Sequence, residues 1–277
     1  MKFKISRILN VRNVGVQFVS VSFLKVAVQS VLNIFTLKYL DTTDLGIWQV
    51  VILIQSFSYL FHLGLVNGLS RDVPYLIGKN NIVRLKNEIK TSLAFLRLVY
   101  LFLGLLAFFW AGSLYLSDNL SVFNAFVLLT GYIQIVYSIE SSYYNSIYRG
   151  SKHFNKLNII NLASIVLIVA IFPLIIYYEF YGFLFYQNII AFFTIFLLWR
   201  NRPYDFRAKF SKLYFFNLLK IGLPILANSL VSIFNKNLVR FTLLIWGSLS
   251  LLGLFSLTSF IINGLAMLPA ILSQYLY

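Results

Sequence analysis

The chain has 277 residues, of which 60% are apolar and 18% aromatic against only 11% charged, and it carries a formal charge of +15. This composition excludes a water-soluble domain with a polar surface and points to lipid as the solvent. Having no cysteine and two histidines also excludes a disulfide framework, a thiol nucleophile and a cysteine- or histidine-built metal centre, so no cofactor and no metal are expected.

Apolar segments long enough to cross a bilayer as helices lie at about 14–37, 45–69, 92–112, 120–140, 157–178, 181–199, 217–246 and 250–274. The predicted fold is all-α, a polytopic membrane helix bundle of about eight transmembrane helices. The first span lacks a small-x-small cleavage site and is too long for a signal-peptide core, so it is expected to stay in the mature chain. Its polar residues Ser22, Lys25, Gln29 and Asn33 recur at steps of three and four, which keeps them on one helix face. Lys25 lies about eleven residues into the span, roughly 16 Å along a helix, too deep for easy snorkelling. A cation near mid-bilayer costs about 2.5–3.5 kcal/mol, so Lys25 is read as facing an interior that receives something negative.

Span two contains His62, a candidate intramembrane proton carrier because imidazole titrates near neutrality; the alternative is a hydrogen-bonded structural histidine. After it, Pro74 and Gly78 interrupt the helix, which restarts near Asn81. Ile82, Leu85 and Ile89 then share a side away from Arg84, Lys86, Glu88 and Lys90, as in an interfacial amphipathic stretch, the alternative being a solvated loop. Glu140, near one end of span four, is a candidate for binding a coupling cation or proton, or else reaches interfacial water or a loop cation. In span seven, Pro224 would permit a bend, and Ser229, Ser232, Lys236 and Arg240 form a second polar face at steps of three and four.

Most of the 23 lysines and arginines fall on one side of this topology. They are Lys2, Lys4, Arg7 and Arg12 at the N-terminus, then Arg71, Lys79, Arg84, Lys86, Lys90 and Arg97, then Arg149, Lys152 and Lys156, then Arg200, Arg202, Arg207, Lys209, Lys212 and Lys220. By the positive-inside rule that side, and the N-terminus, are cytoplasmic. Arg71-Asp72 and Arg149 are expected to set topology or meet lipid headgroups. The opposite connections carry Asp41, Asp44, Asp118 and Glu179, with Lys38 as their cation. Trp48, Trp110, Trp199 and Trp246 all fall near span ends, where an indole can keep its N–H in the headgroup region. The basic excess thus follows the membrane and argues against a nucleic-acid partner.

The two polar faces correspond one to one at an offset of 207 residues: Ser22 with Ser229, Lys25 with Ser232, Gln29 with Lys236, Asn33 with Arg240. The same offset pairs Gly15 with Gly222 and Leu45-Gly46 with Leu252-Gly253. Six spans separate the copies, so the repeats would be parallel and related by an axis along the membrane normal. The expected organisation is a six-helix N-terminal lobe over 1–215 and the first two helices of a second lobe over 216–277.

Four segments carry a family resemblance. The run Tyr39-Leu-Asp-Thr-Thr-Asp44-Leu-Gly-Ile-Trp-Gln49, followed by Leu63-Gly-Leu-Val-Asn-Gly-Leu-Ser-Arg-Asp-Val-Pro74, resembles the first two spans of bacterial polysaccharide flippases. These belong to the multidrug/oligosaccharidyl-lipid/polysaccharide exporter superfamily. Tyr143-Tyr-Asn-Ser-Ile-Tyr-Arg149-Gly-Ser-Lys-His-Phe154 is similar to the cytoplasmic turn after their fourth span, and Lys220-Ile-Gly-Leu-Pro-Ile-Leu-Ala-Asn228 to the start of their second half. Relatives have about twelve to fourteen spans, so the resemblance implies four to six further spans after Tyr277. Many also place an acid before the arginine matching Arg240, where this chain has Val239.

The resemblance implies a non-enzymatic transporter in a bacterial inner membrane that moves a polyprenyl-diphosphate-linked O-antigen or capsule repeat unit by alternating access. Its partners would be the lipid bilayer, that lipid-linked oligosaccharide, and the polymerase and glycosyltransferases of the same route. Lys25, Lys236 and Arg240 would hold the diphosphate, the arginine bidentately, with snorkelling as the other reading of Arg240. Gln29, Asn33 and Ser232 would hydrogen-bond sugar hydroxyls, or else join helices. The alternatives are a multidrug/cation antiporter of the same superfamily, disfavoured by a cationic core, and a membrane-embedded polymerase or glycosyltransferase, disfavoured by short outer connections without paired carboxylates.

Overall fold

The computed structural model describes residues 2–117, 121–204 and 207–276; Asp118 and Tyr277 lie outside the described residues, as do the side chains of Lys2, Lys4, Arg7 and Arg12. The helices are α1 (Lys2–Thr36), α2 (Thr42–Ser56), α3 (Ser58–Phe61), α4 (Leu65–Gly78), α5 (Ile82–Leu116), α6 (Val122–Gly150), α7 (Phe154–Ile171), α8 (Pro173–Arg200), α9 (Lys212–Trp246) and α10 (Leu249–Leu276). Among the described residues, seven segments are long and apolar enough to cross a membrane, and α10 adds an apolar helix from Leu249 to Phe260. The fold is that of an all-α, polytopic membrane protein, as the hydropathy pattern predicts.

Local chemistry sets the helix ends. Asn81 caps α5 by accepting from the N–H of Arg84, Ser121 caps α6 through Asn124, and the Ser248 hydroxyl accepts from Leu251 at the start of α10. Each satisfies a backbone donor that the first turn leaves without an intrahelical acceptor. The expected turn between spans five and six is a break inside α8, where Glu179 takes a φ of 49°.

The chain divides into two compact units. The first comprises Met1–Gln49, Lys152–Tyr186 and Trp246–Tyr277; the second comprises Val50–Ser151 and Gln187–Ile245. In the first unit α1 packs on α7 and α10. Phe18 meets Phe154 at 5.1 Å between centroids, and Trp48 meets Phe183 edge to face at 5.0 Å. Trp48 is therefore buried in protein, at 5% exposure, rather than lodged in the headgroup region. Trp110, Trp199 and Trp246 are exposed, as interfacial indoles should be.

The crossing of α2 with α10, also in the first unit, joins residues related by the 207-residue offset. A Cβ on Gly46 would overlap the carbonyl of Leu249, whereas one on Gly253 would overlap the carbonyl of Thr42. Residues 249 and 253 lie 207 positions after 42 and 46, so the two contacts exchange places under the sequence offset. Between them, Gln49 donates from Nε2 to the Ser256 hydroxyl at 3.0 Å, a fully buried bond that itself joins residues 207 apart. Reciprocal contacts of this kind define a two-fold crossing. Glycine at both positions lets the helices touch backbone to backbone.

In the second unit α4, α5 and α6 pack on one another. Span two does not run through: it passes from α2 and α3 into α4 across His62, Leu63 (φ 49°) and Gly64 (φ 78°). Gly64 is needed twice here, for its left-handed backbone and because a Cβ would sit 2.5 Å from the carbonyl oxygen of Gly222 on α9. The predicted interfacial stretch after Asn81 is instead the first part of α5, continuous to Leu116. Its Leu85 and Ile89 are fully buried against protein, not laid on lipid.

Candidate functional site

The first polar face lies on α1 and opens toward α7. Lys25 is half-buried, and its Nζ approaches Asn161 Oδ1 at 3.4 Å. Asn161 Nδ2 in turn donates to the Ser22 hydroxyl at 3.4 Å. Both contacts are long for hydrogen bonds, hence weak. No carboxylate pairs with Lys25 among the described residues. A lysine ammonium has three donors, and this one spends a single donor on a neutral amide. Gln29 and Asn33, one and two turns on, are half-buried and form no side-chain hydrogen bond within the described chain.

The second polar face lies on α9, which runs through Pro224 without a break. Ser229 returns its hydroxyl to the carbonyl of Ile225, while Ser232 and Lys236 are exposed. Arg240 behaves differently: it is 8% exposed and donates from Nη1 to Asn237 Oδ1 at 2.8 Å. Asn237 also receives the Ser56 hydroxyl at 3.5 Å and sends its own amide to Ile233. The acceptor that Val239 fails to provide is thus a neutral amide three residues before the arginine. Lys236 and Arg240 share a helix face but not an environment.

His62 is fully buried, and its Nδ1 accepts the N–H of Gly64 at 3.1 Å. That bond places the neutral ring's proton on Nε2, which is buried without a partner among the described residues. The histidine therefore holds the break in span two. Glu140 Oε2 accepts the Tyr100 hydroxyl at 2.5 Å, and Tyr132 closes on the Tyr100 carbonyl at 3.2 Å. Glu140 is accordingly held between α5 and α6, not reaching for a loop.

Sequence reasoning missed three groupings. Asn161 is one. A second is a polar seam on α6, where Thr130, Gln134 and Ser138 recur every four residues. Gln134 Nε2 donates to the Gln187 carbonyl at 3.2 Å, Asn188 Nδ2 to Thr130 at 3.0 Å, and Ser58 to Ser138 at 3.2 Å. The four-residue spacing was available as a signal. Third, Asp72 and Glu88, buried at 4% and 0% exposure, share Arg84: Nε to Glu88 Oε1 at 2.7 Å, Nη2 to Asp72 Oδ2 at 3.6 Å. Asp72 thus ties α4 to α5, a packing role rather than a headgroup contact. Burial pushes its carboxyl above the ordinary value, against the opposing pull of Arg84 and Arg71.

Multiple apolar spans around a membrane-embedded cation suit a transport pathway. The MatE family model matches residues 19–175, more than half of the chain. This protein belongs to the MatE family. Members are membrane transporters of the multidrug/oligosaccharidyl-lipid/polysaccharide exporter superfamily, not enzymes, so the chain is a multi-pass membrane transporter. The matched stretch contains Ser22, Lys25, Gln29, Asn33, His62, Glu140 and Asn161. No curated protein and no solved structure matches the chain.

Proposed function

We propose that this MatE transporter carries an anionic lipid-linked oligosaccharide, a polyprenyl-diphosphate repeat unit for surface polysaccharide, across a bacterial inner membrane by alternating access. The observation that carries the reading is Lys25, a membrane-embedded ammonium with a weak amide contact and no acid beside it. A purely structural lysine in lipid is expected to be paired or wrapped by carbonyls. An ammonium left with spare donors suits a diphosphate. Gln29 and Asn33, with unspent amides on the same face, supply donors and acceptors for sugar hydroxyls. On α9, Lys236 and Ser232 are an exposed cation and hydroxyl, whereas Arg240 is engaged with Asn237. The N-terminus is cytoplasmic, and the polymerase and glycosyltransferases are the partners that chemistry implies.

One observation favours a drug or cation antiporter instead: Glu140, a carboxylate held between two membrane helices by Tyr100. The readings separate on the sign of the ligand's charge. Purified protein in detergent is titrated with farnesyl diphosphate and with tetraphenylphosphonium, following tryptophan fluorescence. Tighter binding of the diphosphate, lost in Lys25→Ala, is the expected result. Preference for the phosphonium, lost in Glu140→Gln, would overturn the proposal. In cells that make the polysaccharide, Lys25→Ala with Lys236→Ala should trap lipid-linked units on the cytoplasmic leaflet.

A further inference from the structure

The α1–α7 contact contains a residue with no assigned part in transport. Asn161 stands on α7, where Asn158, Asn161 and Ser164 recur every three residues along the helix that packs on α1. Its side chain is used at both ends: Oδ1 toward the Lys25 ammonium, Nδ2 toward the Ser22 hydroxyl, each at 3.4 Å. Asn158, one turn earlier, is buried at 8% exposure with its Oδ1 unpartnered among the described residues. Ser164 turns inward to the Ile160 carbonyl at 2.8 Å. Of this ridge, Asn161 is the member that bridges two polar residues of α1.

We infer that Asn161 is the positioning residue of the Lys25 anion site, holding the ammonium in place without neutralising it. The inference rests on the reading of Lys25 as a receptor for an anionic headgroup. The chemistry follows from what an amide is. Its carbonyl oxygen faces one ammonium N–H and its NH2 faces the Ser22 hydroxyl, so the cation is oriented while its formal charge stays whole. A carboxylate in the same place would form an ion pair, and an incoming diphosphate would have to displace it. An apolar residue would leave the long, flexible lysine stem free to wander. The neutral bidentate amide satisfies both requirements, whereas the nearly isosteric aspartate meets only the first.

Asn161→Asp therefore makes a prediction that a packing role does not. In purified, detergent-solubilised protein, farnesyl diphosphate binding and the melting temperature are measured for the native chain, Lys25→Ala, Asn161→Asp and Asn161→Leu, with farnesol and inorganic pyrophosphate as comparison probes. Asn161→Asp should weaken farnesyl diphosphate binding at least tenfold with the melting temperature unchanged or raised. Asn161→Leu should weaken it roughly three- to tenfold, and farnesol binding should not respond to either change. Pyrophosphate should show the same ranking more weakly if the headgroup carries the recognition. If Lys25→Ala loses binding while Asn161→Asp keeps it, the positioning role fails and the anion site stands. If Asn161→Asp lowers binding and melting temperature together, Asn161 is a packing residue and the inference fails. If Lys25→Ala binds as the native chain does, the underlying reading of the site is wrong.

Discussion

Substituting alanine for Gly46 or Gly253 tests the two-fold crossing of α2 and α10 directly. A methyl on Gly46 would lie 2.7 Å from the Leu249 carbonyl carbon, and one on Gly253 2.7 Å from that of Thr42. Ordinary contact begins near 3.4 Å and the carbonyl oxygens stand nearer still, so the helices must part by more than about 0.7 Å, which forfeits at least a quarter to a half of the dispersion energy of each facing atom pair. Overpacking of this kind costs about 1–3 kcal/mol. Stretching the Gln49–Ser256 bond from 3.0 Å adds about 0.6 kcal/mol, the average for an interhelical hydrogen bond in a membrane. Alanine's better helix propensity returns at most about 1 kcal/mol, so each single substitution should destabilise by about 1–3 kcal/mol. Because both methyl groups demand the same separation, the double variant should cost little more than either alone, a coupling of about 1–3 kcal/mol. Thermal unfolding in detergent reads all three, with Gly131→Ala, whose added carbon meets nothing within 4 Å, as control. Additive losses, or singles as stable as the control, would refute a shared crossing point.

Four further outcomes follow from the second unit. His62→Asn keeps an acceptor for the Gly64 N–H and should fold well, whereas His62→Phe leaves that donor buried and should lose about 1–3 kcal/mol; equal melting temperatures would contradict a structural histidine. Tyr100→Phe removes the donor to Glu140 and should cost about 1–3 kcal/mol, but much less in a Glu140→Leu background, which has no acceptor, and an unchanged cost there would break the assigned pairing. Arg84→Ala strands the buried Glu88 carboxylate and should cost about 3–5 kcal/mol at neutral pH, most of it recovered by adding Glu88→Gln. Finally, the native state holds the Asp72 proton more tightly than the unfolded chain does, because burial raises its carboxyl above the ordinary 3.8. Stability from this group is full below that ordinary value and is lost as pH rises through the folded one. Asp72→Asn should flatten the fall in melting temperature above pH 4, and an identical slope would count against it.

The fold was legible where one physical rule governs many residues at once. Span positions follow from the length of lipid a helix must cross, and the Leu-Gly pairs at 45–46 and 252–253 could be matched because backbone contact between helices tolerates little besides glycine. The break at His62, Leu63 and Gly64 was not legible. Leu63 adopts φ 49°, a region for which leucine carries no local preference. Trp48 misled for a related reason, since an indole near a span end suits a headgroup region and a protein interior equally well until its neighbour Phe183 is known. In the site, Lys25 was conspicuous because charge is expensive in lipid. Asn161 was not, because a lone amide in a membrane helix is ordinary and its meaning depends on what stands 136 residues away.

The three cations proposed for the headgroup differ in how far each is already committed, and this bears on their order of use. Arg240 is buried and holds Asn237 at 2.8 Å, so recruiting it costs an existing charge-assisted bond. Lys236 is exposed and gives up little, but its attraction is the most easily screened. Lys25 is half-buried with one contact at 3.4 Å, which combines a low local dielectric with donors still unspent. A ligand gains most from the cation that is both desolvated and unsatisfied, so Lys25 should set affinity while Lys236 affects mainly association rate and its salt dependence. Raising ionic strength should therefore weaken diphosphate binding in Lys25→Ala far more steeply than in Lys236→Ala; the reverse order would put the principal site on α9.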